Sequence, residues 1–283
     1  MKRIVLIALL LWPLAPPLAA QTPPSQRVAS LDKKVEGTSS LFFLDGRLWT
    51  CNDHGRLCLY ALDTLRGRID SVVDLGVKVF DLEEVTQDDG YLYFGDFGDN
   101  RGVRNDLRIL RLAKQDLRLR RYRFDTIRFT YPDRKDGSLA RDFDCEAFVA
   151  VGDSLYLFTK QWVSQGTTCY ALPKAPGRHK ARRRYSLNTR GLVTAASYHS
   201  ANRQLLLLGY TLALNPFVMI VDGLDGSQGR RLALDLPLGT QSEVLATTDC
   251  RHFFLSSETF RLRFFKRQAA LFRLDLSGYT PSR

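Results

Sequence analysis

The chain has 283 residues, 45% of them apolar and 25% charged, with a formal net charge of +11. This mixture excludes disordered and collagen-like chains, and its length suits one large all-β domain or two small ones. The basic residues are spread along 108–128 and 174–190, on alternating positions among apolar ones. That is the pattern of solvated strand faces, with weak attraction to anionic envelope polymers or glycans as its functional counterpart and no nucleic acid.

The first twenty residues read as an export signal. Lys2 and Arg3 supply the positive start, Ile4 to Trp12 the apolar stretch, and Leu18-Ala19-Ala20 the small-residue cleavage region before Gln21. The apolar run is too short to span a bilayer, and no other stretch is long and apolar enough to serve as a transmembrane anchor. The expectation is an exported protein with a single domain over 21–283, periplasmic, at the cell surface or secreted.

Beyond Gln21, strand signals dominate: short runs of Val, Ile, Leu, Phe and Tyr separated by Gly, Asp and Asn turns. Five segments open alike, at Ser39-Ser40, Glu83-Glu84, Glu146-Ala147, Thr194-Ala195 and Glu243-Val244, each followed by a turn and a second apolar run. Third strands align over Leu57–Leu62, Leu107–Leu112, Thr168–Leu172, Phe217–Val221 and Ala270–Leu274, and Ile127–Tyr131 exemplifies the outer strand. A period of roughly 40–50 residues with four strands per unit is that of a β-propeller blade. The reading is therefore all-β: one propeller of five four-stranded blades. A sixth blade would need an extra hairpin hidden in the long second unit. The fifth unit lacks an outer strand, and Arg27–Leu31 is placed to supply it and close the ring.

Five cysteines leave at least one without a disulfide partner. If His54-Gly55 is a two-residue turn, Cys51 and Cys58 face each other and a cross-strand disulfide becomes feasible. Cys145, Cys169 and Cys250 match no zinc spacing and read as small buried apolar side chains.

Innermost strands line a propeller's channel, so Glu83, Glu146 and Glu243 should converge near the axis. The ends of the second strands form another aligned set, Asn52-Asp53, Asp96, Lys160, Tyr210 and Glu258, expected at the same mouth. The candidate ligand-binding residues are thus Glu83, Glu146, Glu243, Asp53, Asp96, Lys160, Tyr210 and Glu258. Glu83, Glu146 and Glu243 with Asn52 are the candidate metal ligands, their hard oxygens suiting Ca²⁺ or Mg²⁺. The competing reading is that each Glu bonds backbone amides of the next blade and merely ties blades together. Gly95 to Gly102 is the densest polar loop and reads as a structured turn. No nucleophile elbow, phosphate-binding glycine loop or His-Glu-x-x-His pair occurs, and no catalytic residue is assigned.

Leu48-Trp49-Thr50-Cys51-Asn52-Asp53, Asp81-Leu82-Glu83-Glu84-Val85, Tyr93 to Asn100 and Leu157-Phe158-Thr159-Lys160 together resemble a group of secreted, largely uncharacterised β-propeller proteins of Bacteroidetes-type bacteria. The resemblance runs from about Ser39 to Glu258. It implies the fold and export but no activity. More distantly the layout is similar to phytase-like, esterase-like and lactonase propellers, which hold cations on axial carboxylates. Two functions follow as expectations: a ligand-binding or scaffold module with a carboxylate-rich mouth, or a Ca²⁺- or Mg²⁺-dependent hydrolase of phosphoesters or lactones.

Overall fold

A computed structural model describes residues 22–280 except 228, 238, 263 and 264. The predicted export signal lies outside the described residues. Blade one comprises β2 (Thr38–Leu44), β3 (Arg47–Asn52), β4 (Gly55–Leu62) and β5 (Ile69–Val79). Blade two comprises β6 (Leu82–Gln87), β7 (Tyr91–Asp96), β8 (Arg108–Ala113) and β9 (Phe124–Thr130). In blade three, β10 (Asp144–Val151), β11 (Ser154–Lys160) and β12 (Thr167–Pro173) are followed by β14 (Arg182–Leu187). The intervening β13 (Gly177–Lys180) crosses over and pairs in parallel with β9, giving blade two a fifth strand. Blade four is β15 (Leu192–His199), β16 (Gln204–Tyr210), β17 (Pro216–Asp222) and β18 (Arg230–Ala233).

Blade five combines β19 (Ser242–Thr247), β20 (His252–Ser257) and β23 (Ala270–Asp275) with β1 (Ser25–Ser30), which pairs antiparallel to β23. The two ends of the chain close the ring, as expected. A two-stranded hairpin, β21 (Phe260–Leu262) with β22 (Phe265–Arg267), branches from this blade. The extra length of the second unit holds no sixth blade. It goes instead into the loop before β8, the short helix α1 (Lys114–Arg118) and a 3₁₀ stretch over Gly137–Phe143.

The apolar side chains explain why blades stack face to face. Buried residues fall into five clusters, one at each junction between neighbouring blades. At the junction of blades two and three, Phe97 meets Phe148 edge to face at 5.1 Å, and Tyr131 meets Tyr170 at 4.7 Å. Such pairs add to area burial because ring edges and faces carry opposite partial charge. The innermost strands touch in a closed circuit, β2–β6–β10–β15–β19–β2, and surround the axis.

One backbone irregularity recurs in all five blades. The ladder between first and second strands skips one residue: Ser39, Glu83, Glu146, Thr194 and Glu243 each have no opposite partner. A bulge of this kind re-aims its side chain out of the regular alternation. The five bulged residues are those that head the repeats.

The expected Cys51–Cys58 disulfide does not form; none of the five cysteines is paired in one. The β3–β4 ladder pairs Thr50 with Tyr60 and Leu48 with Leu62, so continuing it sets Cys51 opposite Leu59. This one-residue offset from the two-residue turn turns the thiols to opposite faces. Cys51 is buried and Cys58 is half-exposed; Cys145 and Cys169 are buried as expected, but Cys250, in the turn before β20, is half-exposed instead.

Candidate functional site: an acidic axial mouth

The bulges bring acids together from different blades. Ligand oxygens of Glu83, Asp144 and Glu146 all lie within 4.8 Å of one another. Glu83 comes from blade two, and Asp144 and Glu146 from blade three. Asp81 joins them: a Cβ placed on Gly98 would fall 2.0 Å from Glu83 Oε1 and 2.6 Å from Asp81 Cγ, so both carboxylates press on one point of the backbone. Only a residue without a side chain fits at Gly98.

Lys160, at the end of β11, is the cation inside this cluster. Its Nζ donates to Glu146 Oε1 at 2.5 Å and lies 4.7 Å from the Trp162 ring and 5.3 Å from the Tyr210 ring. Glu146 Oε2 is buried and has no hydrogen-bond partner. Asp144 is held in place: Oδ1 accepts from the Asp99 amide at 2.6 Å and Oδ2 from Trp162 Nε1 at 2.9 Å.

Electrostatics mark the cluster as crowded. Burial, then the charge of Glu146, raises the Glu83 carboxyl well above the ordinary range. Burial also raises Glu146, Glu243 and Asp144, with the Lys160 charge working against it in each. At the rim, burial and the Glu243 charge raise Glu258. Asp81 is pushed up to about 6 by burial and the Asp144 charge. Burial alone would lower Lys160, but Glu146, Tyr210 and Glu243 outweigh it and hold the ammonium charged.

The predicted residues thus divide. Glu83, Glu146, Glu243, Glu258, Lys160 and Tyr210 meet in one electrostatically coupled cluster. Asp53 lies at its edge with Asn52 and Glu258, lining a cleft of about 330 Å³ that is walled by Gly37 and Lys34. Asn52 Nδ2 donates to the Lys34 carbonyl, and neither it nor Glu243 belongs to the close triad. Asp96 is spent on structure: it accepts from the Phe80 and Asp81 amides and pairs with Arg104 and Arg108, fully shut from solvent. Asp99 likewise ties its own turn, accepting from Val103, Arg104 and Arg134, so the polar loop is a structured turn as expected.

Asp81, Asp144 and Gly98 are not among the residues the repeats single out, although Asp81-Leu82-Glu83 and Asp144-Cys145-Glu146 share an Asp-x-Glu pattern that carries the signal for the two acids. The alternative role for the glutamates, tying blades through backbone amides, finds no support. Among the described residues, no amide of a neighbouring blade donates to Glu83, Glu146 or Glu243.

No protein-family model matches the chain, and no curated protein matches it. Solved structures do. The tail fiber of Staphylococcus aureus phage P68 matches 90% of this chain at 12% identity with TM-score 0.51, and the chain spans 53% of that one. The PQQ-bound aldose sugar dehydrogenase of Streptomyces coelicolor matches over 89% of this chain and 100% of its own, at 11% identity and TM-score 0.49. A gluconolactonase of Xanthomonas campestris matches over 90% and 87%, at 10% identity and TM-score 0.46. The likeness is one of fold. It assigns no chemistry, which has to be argued from the mouth itself. No helix among the described residues is long and apolar enough to cross a membrane.

Proposed function

We propose that the protein is an exported, Bacteroidetes-type ligand-binding propeller whose axial mouth takes a divalent cation, Ca²⁺ or Mg²⁺, and through it an oxygen-rich ligand. The observation that carries this reading is the triad Glu83, Asp144 and Glu146, with oxygens within 4.8 Å and the buried Glu146 Oε2 unpartnered. Oxygens on one Ca²⁺ sit about 2.3–2.6 Å from the ion, so they can be up to roughly 5 Å apart. Three carboxylates and the Lys160 ammonium leave two negative charges, which a divalent ion balances. Each Asp144 oxygen has a lone pair beyond the bond it already accepts. Glu243 and Glu258 add negative charge beside the triad and would attract the ion without binding it directly. Trp162, half-buried beside Lys160, would supply an apolar face for an organic ligand.

Calorimetric titration of EDTA-treated protein with Ca²⁺ and then Mg²⁺ tests the proposal. One saturable site is expected, weakened at least tenfold by Glu146→Gln. Absence of saturable binding of either ion would overturn it.

A second reading, hydrolysis of a phosphoester or lactone, draws on Asp81. Its carboxylate crowds Gly98 together with Glu83, so it would lie beside a bound cation and would be placed to take a proton from water that the ion activates. Lys160 would then face the anionic group of the substrate. Turnover of aryl phosphoesters and lactones that EDTA abolishes and Asp81→Asn slows at least a hundredfold would support this reading. No turnover with either ion leaves the binding module alone.

A further inference from the structure

Away from the axis, the crossover strand β13 sets up an unusual neighbourhood. Its parallel register places Arg178 directly opposite Arg128 and Lys180 opposite Thr130. Neighbouring strands lie about 4.8 Å apart, and like charges facing each other across a ladder repel. Both arginines are exposed, and Arg182 and Arg184 follow at once on the exposed outer strand of blade three. Among the described residues, none of Arg128, Arg178, Lys180, Arg182 and Arg184 has a carboxylate partner. The nearby acid Asp106 is already paired with Arg104 at 3.0 Å. Arg128, Arg178 and Lys180, with Asp106, line a cleft of about 280 Å³ at the outer edge of blade two.

We propose that this cleft binds an anionic polysaccharide, its acidic groups seated between Arg128, Arg178 and Lys180. A charged outer edge is a common device against edge-to-edge aggregation, and it accounts for Lys180. It does not account for two arginines set face to face within a paired ladder, which an anion between them would stabilise. Unpaired guanidinium groups are well suited to planar carboxylate and to sulfate or phosphate oxygens. Single-stranded nucleic acid is the weaker fit. Bases need exposed rings to stack on, and the phenyl ring at this cleft, Phe129, is 3% exposed. The cleft is independent of the axial mouth, so its test is run in EDTA.

The test is fluorescence anisotropy of labelled polygalacturonate and dextran sulfate with the full chain, uncharged dextran and single-stranded DNA serving as competitors. At low salt the wild type should bind at least one polyanion, and neither competitor should displace it at equal mass. Arg128→Glu with Arg178→Glu should weaken binding at least tenfold, while the charge-matched pair Arg66→Glu with Arg203→Glu weakens it less than twofold. If the glutamate pair unfolds the protein, Arg128→Gln with Arg178→Gln should still show a loss of at least threefold. Equal losses in cleft and control variants would overturn the proposal by reducing it to net charge. Displacement by single-stranded DNA, or failure to bind either polyanion, would overturn it as well.

Discussion

Lys160 Nζ lies 2.5 Å from Glu146 Oε1, and the two side chains are only 5% and 4% exposed. A buried ion pair of this kind contributes little net stability when intact, because desolvating both charges offsets their attraction. Its importance lies in what it permits. One ammonium lets several carboxylates share a closed space, and the second oxygen of Glu146 stays available.

Removing the lysine should therefore separate stability from binding. Lys160→Met leaves the acids without their cation and is expected to cost about 3–5 kcal/mol in EDTA. A divalent ion should recover more of that loss than it adds to the wild type. Urea unfolding with and without Ca²⁺ measures both; an equal increment in the two proteins would argue against a shared site.

Asp96 offers the opposite case. It is fully buried, holds two arginines and accepts two backbone amides. Asp96→Ala orphans the two amides and takes the buried carboxylate from both arginines, and is expected to cost about 3–5 kcal/mol. Cation affinity at pH 7 should change less than threefold, because Asp96 does not face the triad. An unfolding free energy within about 0.5 kcal/mol of wild type, roughly the surface-substitution range, would show the anchor to be dispensable.

Gly98 leaves the space that Glu83 and Asp81 share. A methyl group there meets Glu83 Oε1 and Asp81 at distances no real contact allows, so both carboxylates must swing away. Gly98→Ala should weaken cation binding roughly tenfold at a stability cost of about 1–3 kcal/mol. Calorimetry on the variant decides, and undiminished affinity would remove Glu83 from the ligand set.

The pH dependence has a definite sign. Burial raises the folded-state carboxyls of Glu83, Glu146, Glu243 and Glu258, and Asp81 to about 6. Above the unfolded value of about 4, the native protein holds protons that the unfolded chain has released. Their stabilising contribution is full below that value and is lost as pH rises through 6 and beyond. Exposed acids such as Asp74, lowered by the Gly76 amide, act in the opposite sense but finish titrating below it. In EDTA the melting temperature should fall between pH 5 and roughly pH 8, while the increment given by Ca²⁺ grows over the same range. A melting temperature in EDTA that rises steadily across this range would contradict the crowded-acid account.

Much of this architecture is legible in the chain. The repeated openings reveal five blades because each inner strand carries the same bulge, and Glu83, Glu146 and Glu243 occupy three of those five positions. The strand supplied by the N-terminal segment follows from an outer strand missing after Leu274. Other features could not be read from spacing. The β3–β4 register differs by one residue from a two-residue hairpin, and a single step decides which face a cysteine takes. Asp96 shares its aligned position with Lys160, yet Arg104 and Arg108, which capture it, lie in a loop and a strand unlike those of the other blades. Likewise β13 reads as part of blade three, and only the tertiary fold moves it to blade two.

The most direct test of the central claim is thermal unfolding of the protein, first in EDTA and then with Ca²⁺ or Mg²⁺, beside Glu83→Gln and Glu146→Gln. An ion that binds only the native state raises the melting temperature by mass action. In EDTA Glu83→Gln should be at least as stable as the wild type because one crowded carboxyl is gone, whereas Glu146→Gln, which takes the direct partner from Lys160, should be less stable. The axial site predicts a clear rise in the wild type that both variants lose. No rise in the wild type, or the same rise in all three proteins, would contradict it.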